Sequence, residues 1–316
     1  MSVPTHPERL RATLIGFIAI LLWATLALFT TATGAVPPFQ LLSLTFGIAF
    51  ALSLLRWAWL IRRDAEAFRR IFRQRLAVWL LGIAGLFGYH ALYFTALDHA
   101  PPVEASLICF LWPLLIVLLS AALPGERLHW THLLGGMLGL GGAALLVLQK
   151  ADGAVAFEAQ YIVGYLAALG CAVTWSIYSV MSRRFGHAPT DLVGAFCGAT
   201  AVLGVVAHPL VGEPTVWPAD AWEWTAIVAL GLGPVGVAFF VWDYGVKHGD
   251  IKALGACSYA SPLLSTVLLI LAGKAEATMT VIIACLLIIA GAVIASRDLW
   301  SRRSSPRPEH TNAALQ

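Results

Sequence analysis

Residues 76–123 read LAVWLLGIAGLFGYHALYFTALDHAPPVEASLICFLWPLLIVLLSAAL. They form two apolar runs of about 20 residues each, the length that spans a hydrocarbon layer at the helical rise. Asp98, His99 and the pair Pro101-Pro102 part the runs, and proline both lacks an amide and biases the residue before it away from helix. Within lipid every backbone amide needs a partner in its own segment, so both runs are predicted to be helices.

Working outward, the same alternation of apolar run and break recurs along the whole chain. Ten helices are predicted, over 12–32, 38–60, 76–97, 103–123, 129–148, 161–181, 192–211, 221–246, 253–272 and 278–296. The composition agrees: of 316 residues, 59% are hydrophobic and 12% charged, with a mean hydropathy of +0.80. A soluble domain keeps about a quarter of its residues charged to face water, so the solvent here is lipid. The net charge of +3 follows from topology and implies no nucleic-acid partner, because no basic stripe interleaved with aromatics occurs. The cysteines Cys109, Cys171, Cys197, Cys257 and Cys285 lie scattered in apolar runs without metal-ligand spacing and read as small hydrophobes. No cleavable signal is expected, since Arg9 and Arg11 precede a run long enough to remain as a span.

Lysine and arginine set the orientation. With the amino terminus in the cytoplasm, 18 of the 20 basic residues fall on the cytoplasmic side, leaving only Lys150 and Lys274 outside. Both termini are therefore expected in the cytoplasm, across a bacterial inner membrane.

The two halves also match. Trp23 and Pro37 lie 152 residues before Trp175 and Pro189, while Gly82, His99 and Pro113 lie 149 residues before Gly231, His248 and Pro262. Five spans per half is odd, so the second copy is inverted. The expected architecture is all-α and polytopic, with a first five-helix repeat over 1–150, a second inverted repeat over 151–300 and a disordered cytoplasmic tail over 301–316. Inverted repeats of this kind suit transport, because two pseudo-symmetric halves open a midplane site to each side in turn.

The stretch YHALYFTALDHAPPVEASLICFLWPLLIVLLSAALPGERL from Tyr89 to Leu128, with its Gly125-Glu126-Arg127, resembles the drug/metabolite transporter superfamily in its EamA-type branch. The stretch WDYGVKHGDIKALGACSYASPLLS from Trp242 to Ser265 is similar to the corresponding part of that family. The resemblance covers essentially the whole chain and implies export of small metabolites, with amino acids as the expected substrate. Helix 1 departs from the pattern: LLWATLALFTTATG keeps the family's tryptophan but lacks its commoner WGSNF-like run.

A substrate site is expected at the midplane, and the central aromatic and polar residues are its candidates. Tyr89 and Tyr93, four apart, share a helix face with His90 beside them. Such groups need partners in lipid, which either a cavity or ordinary helix-to-helix hydrogen bonding supplies. Gly82, Gly85 and Gly88 thin the same helix. Trp23 and Trp175 sit too deep for the interfacial aromatic belt; with Trp112, Tyr178, Trp242 and Tyr259 they complete a candidate aromatic chamber. It suits an aromatic side chain by stacking and an ammonium by cation–π attraction. Pro113 and Pro262, at matched positions, are candidate hinges, although proline is also common in membrane helices. Trp57, Trp59, Trp217, Trp222, Trp224 and Trp300 read as interface anchors.

No acidic or basic residue stands at the membrane centre, Asp243 reading as interfacial, so facilitated export down a gradient is expected over a proton-driven cycle. A proton-coupled exporter of drugs or other metabolites is the alternative. An intramembrane enzyme lacks its parts: His90, His132 and His208 belong to separate helices, and no serine has a nucleophile context. A channel is disfavoured by the inverted aromatic core. No cofactor or metal is expected. The glycines of helix 5, Gly135, Gly136, Gly139, Gly141 and Gly142, read as internal packing rather than a dimer face, and the chain is expected to be a monomer.

Overall fold

The computed structural model describes residues 6–126, 128–149, 157–271, 273 and 276–297, and the described residues form helices with no strand. Nine helices among them are long and apolar enough to cross a membrane: α1 (His6–Thr30), α2 (Pro38–Arg63), α3 (Leu76–His99), α4 (Pro102–Ala122), α5 (Trp130–Gln149), α6 (Ala159–Arg184), α7 (Thr190–Leu210), α8 (Ala221–His248) and α9 (Ile251–Leu271). A shorter apolar helix, α10 (Met279–Ala295), follows. A further short helix, Ala65–Phe72, joins α2 to α3 and is capped by Asp64, whose carboxylate accepts from the Ala67 amide.

The observed helices overlap all ten expected runs. The largest difference is at α1, which starts at His6 instead of residue 12. Its first turn carries charge and continues beyond the apolar run because Arg9 is paired inside the bundle. Lys150, Asp152, Lys274, Trp300, the 301–316 tail and the boundary expected at 150–151 lie outside the described residues.

Helices cross where glycine lets backbones touch. A Cβ on Gly135 of α5 would strike the Gly291 carbonyl of α10, and one on Gly291 would strike that of Gly135. Gly139 receives the Tyr259 ring and Gly142 meets Ile288, so helix 5's glycines are spent inside the bundle, apart from Gly141, which faces open space. Gly16 of α1 and Gly245 of α8 touch in the same way. Trp57 is a correction to the sequence reading: it is buried, its indole N–H donating to the Asp191 carbonyl at 3.2 Å, and it anchors α2 to the start of α7 instead of the headgroup layer. Trp59, Trp217, Trp222 and Trp224 are exposed, as an anchoring role requires.

Besides a break at Thr25 in α1, four of the described helices are interrupted in two matching pairs. A π turn occupies Ala84–Gly88 of α3 and another Gly233–Val237 of α8, starting 149 residues apart. α4 divides into Pro102–Cys109 and Trp112–Leu119, and α9 into Ile251–Cys257 and Ala260–Leu271. Pro113 and Pro262 each sit in the first turn of a second half-helix, where the missing amide is not needed. π turns leave spare backbone reach and recur at functional sites.

The two ends of the bundle differ. At the end holding His6, the half-helix Trp112–Leu119 packs on Ile251–Cys257, and α6 packs on Ala238–His248. At the opposite end, Pro102–Cys109 and Tyr89–His99 pack on α6, while Ala260–Leu271 packs on α1. No packing of comparable extent among the described residues joins those two groups. The bundle is sealed at the first end and parted at the second.

Candidate functional site

The aromatic candidates converge where α1, α4, α6 and α8 meet. Trp23, Trp112, Trp175 and Trp242 touch in all six pairings, with ring centroids from 5.1 Å (Trp23 to Trp242) to 6.4 Å (Trp112 to Trp175). Most of these contacts are edge-to-face, the arrangement favoured by the ring quadrupoles. Trp242 is fully buried and its indole N–H donates to Ser179 Oγ at 3.1 Å. Trp23 donates to the Pro234 carbonyl at 3.1 Å, tying the cluster to the π turn of α8. Ser176 Oγ donates to the Trp112 carbonyl at 3.0 Å and so links α6 to the break in α4.

Tyr89, His90 and Tyr93 line the side of this cluster that faces the parted end. Tyr89 lies 5.5 Å from Trp175 and stacks on Tyr93 at 6.3 Å with the rings within 1° of parallel. All three are half-buried. The His90 Nδ1–H donates to the Leu86 carbonyl at 2.7 Å, inside the π turn of α3, and the ring contacts Phe46, Phe94 and Phe239. Phe239, absent from the sequence candidates, also touches Trp23 and Trp175. Its signal was available, because Phe239 lies three residues before Trp242 on the same helix face.

Tyr178 packs on Trp175 at 5.1 Å but points towards the sealed end. Tyr259 does not join the chamber. It is fully buried in a separate apolar cluster with Leu114, Ala143 and Ile288, and its hydroxyl accepts the Leu114 amide at 3.2 Å. Its place is explained by the break in α4, which frees that amide.

The sealed end is held by a charge network that sequence reasoning did not foresee. Glu126 is its hub, accepting from Arg183 at 2.7 Å, Lys252 at 2.9 Å and Arg9 at 3.4 Å. Arg9 also pairs with Asp250 at 2.8 Å, and Arg183 donates to the carbonyls of Val246 and Gly249. Asp250 caps α9 through the amides of Lys252 and Ala253. Helices α1, α4, α6, α8 and α9 are thus fastened at one end. These charges lie at helix ends far apart in sequence, where only a three-dimensional arrangement reveals their pairing. Asp243 is likewise buried within the bundle, in contact with Lys247 at 2.7 Å, where the sequence placed it at the interface. Among the described residues no group of three or more His, Cys, Asp or Glu could hold a metal ion.

Comparison with known proteins places this geometry in context. The model of the EamA-like transporter family matches residues 10–148 and again 162–297. The aromatic amino acid exporter YddG of Ancylobacter novellus is 54% identical over 94% of this chain and 100% of its own. A probable terminal-alkyne amino-acid exporter of Streptantibioticus cattleyicolor is 26% identical, covering 72% of this chain and 76% of the relative. A solved crystal structure with 52% identity superposes with a TM-score of 0.85, covering 93% of this chain and 99% of that one.

Proposed function

Because the chain belongs to the EamA-like transporter family, we propose that it exports neutral amino acids, aromatic ones above all, from the cytoplasm by alternating access. The observation that carries this reading is the cluster of Trp23, Trp112, Trp175 and Trp242, flanked by Tyr89 and Tyr93 on the side of the parted end. An aromatic side chain stacks there, and a ring face holds its ammonium by about 0.5–2 kcal/mol. The names of the exporters among its relatives point the same way.

In this reading ten helices cross a bacterial inner membrane as two inverted sets of five, with both termini in the cytoplasm and the chain working as a monomer. The double match of the family model and the paired π turns support the duplication. The sealed end is then cytoplasmic and the parted end periplasmic. Pro113 and Pro262 serve as hinges beside the breaks in α4 and α9. His90 bonds to its own helix, and export runs down the concentration gradient.

The test is efflux of a panel of labelled amino acids from proteoliposomes. Wild-type protein is expected to release phenylalanine, tyrosine and tryptophan saturably without an imposed pH gradient. Trp175→Ala and Tyr89→Ala are expected to lower that flux by roughly tenfold or more, the equivalent of one lost ring contact and its packing. Unchanged flux in both variants removes the aromatic site. Flux that needs a pH gradient replaces facilitation with proton coupling, and flux that never saturates makes the protein a channel.

A further inference from the structure

On the sealed side of the tryptophan cluster a second pocket lies between α3, α6, α7 and α8. Its lining mixes apolar side chains, Leu81, Val193 and Phe196 among them, with the polar groups of Tyr178, Asp243 and Lys247. Asp243 and Lys247 form an ion pair with side chains only 3% and 5% exposed. Thr190 donates to the same carboxylate oxygen, Oδ2, that receives Lys247, both at 2.7 Å. Lys247 gives its second bond to the Ala188 carbonyl at 3.0 Å and keeps a third N–H. The Tyr178 hydroxyl, on a residue 1% exposed, is buried without a well-formed hydrogen bond, with Ser182 as a weak partner and the Asp243 carboxylate close by.

An ammonium fits the Asp243 carboxylate, a carboxylate fits Lys247 and Tyr178, and an apolar side chain fits Leu81, Val193 and Phe196. The lining is therefore complementary to a whole zwitterionic amino acid with an apolar side chain.

In this conformation the cavity has room for about one water molecule. What closes it is α3. The faces of Gly82 and Gly85 lie so close on the Phe196 and Tyr178 rings that a Cβ on either would collide with them. The π turn beginning at Ala84 sits at that contact and provides the slack for α3 to withdraw.

Resting on the export reading, we infer that this pocket is a second substrate site, which receives a zwitterionic amino acid from the sealed side before the tryptophan cluster admits it. Substrate charges replace the contacts that Asp243 and Lys247 make with each other, and Tyr178, packed on Trp175, hands the side chain to the centre.

The test uses the full-length protein in lipid nanodiscs, with Ser182→Cys introduced after the five native cysteines are replaced. Alkylation by N-ethylmaleimide is followed with L-phenylalanine, with phenethylamine, which lacks the carboxylate, and with 3-phenylpropionate, which lacks the ammonium. L-phenylalanine is expected to slow alkylation several-fold and each half-ligand far less. In Asp243→Asn/Lys247→Met, which removes the pair together and leaves no lone buried charge, protection is lost. The phenylalanine concentration that half-saturates efflux rises by roughly tenfold. Tyr178→Phe, which deletes only the hydroxyl, weakens protection in a protein whose packing is intact, and so decides the matter if the double variant fails to fold. Equal protection by all three compounds, or protection that survives the double variant, overturns the site. Wild-type phenylalanine efflux without protection at Ser182→Cys overturns this site alone, whereas absence of amino acid efflux from wild type overturns the export reading on which it rests.

Discussion

Tyr259 illustrates how a single residue's role depends on its neighbour's backbone. The break in α4 leaves the Leu114 amide without a helical partner, and the Tyr259 hydroxyl takes it inside an apolar cluster. Replacing Tyr259 with Phe keeps the ring and orphans the amide, at a cost of about 1–3 kcal/mol. Thermal unfolding in detergent should fall by several degrees, while the tryptophan cluster and transport persist; loss of transport without loss of stability would return Tyr259 to the substrate path. In the sequence Tyr259 and Tyr89 looked alike, both mid-helix tyrosines near a proline or glycine. Helical spacing gives depth and face along one helix but not which neighbour that face meets. Trp23 and Trp175 were legible because each is a large ring at mid-span, where the interfacial belt cannot explain it, and Trp112 and Trp242 joined them as further aromatic candidates. Asp243 was misplaced for the opposite reason: its depth near a helix end was read correctly, and its burial against α7 was not visible.

Among the elements, the interrupted helices and the charge hub work against each other. The breaks in α4 and α9 and the π turns of α3 and α8 let half-helices move, while Glu126 ties the ends of α1, α4, α6 and α9 together. Glu126→Gln leaves Arg9, Arg183 and Lys252 with Asp250 as their remaining carboxylate in the network. Removing one partner of a partly buried ion network costs a few kcal/mol. Amides of residues 9–13 and 250–253 are expected to exchange with deuterium roughly tenfold faster, equivalent to about 1.4 kcal/mol. Unchanged exchange would make the hub a surface ornament with no part in closing this end. Helix existence was plain from run length, and proline marked where α4 and α9 change direction. The π turns were not, since AGLFG and GPVGV carry no distinct pattern in isolation; only their matching offset links them.

For the whole molecule, the distribution of basic residues makes a firm demand on topology. Reporter fusions after residue 70 and after residue 185 are expected on the cytoplasmic face, and fusions after residue 35 and after residue 215 on the periplasmic face. Any fusion on the wrong side would dismantle the inverted arrangement. The lipid-facing character and helical class came from composition, which needs no tertiary information. Which end is closed came only from packing, because conformational state is a balance of contacts that the same sequence makes in more than one way.

The four indoles at the centre carry one more consequence. Packed against each other, with Trp242 fully enclosed and Trp175 nearly so, they set a plug of touching rings at the middle of the molecule. For as long as that plug stays whole it stands in the way of ions, so a cell is able to hold many copies without discharging the gradients that its pumps maintain.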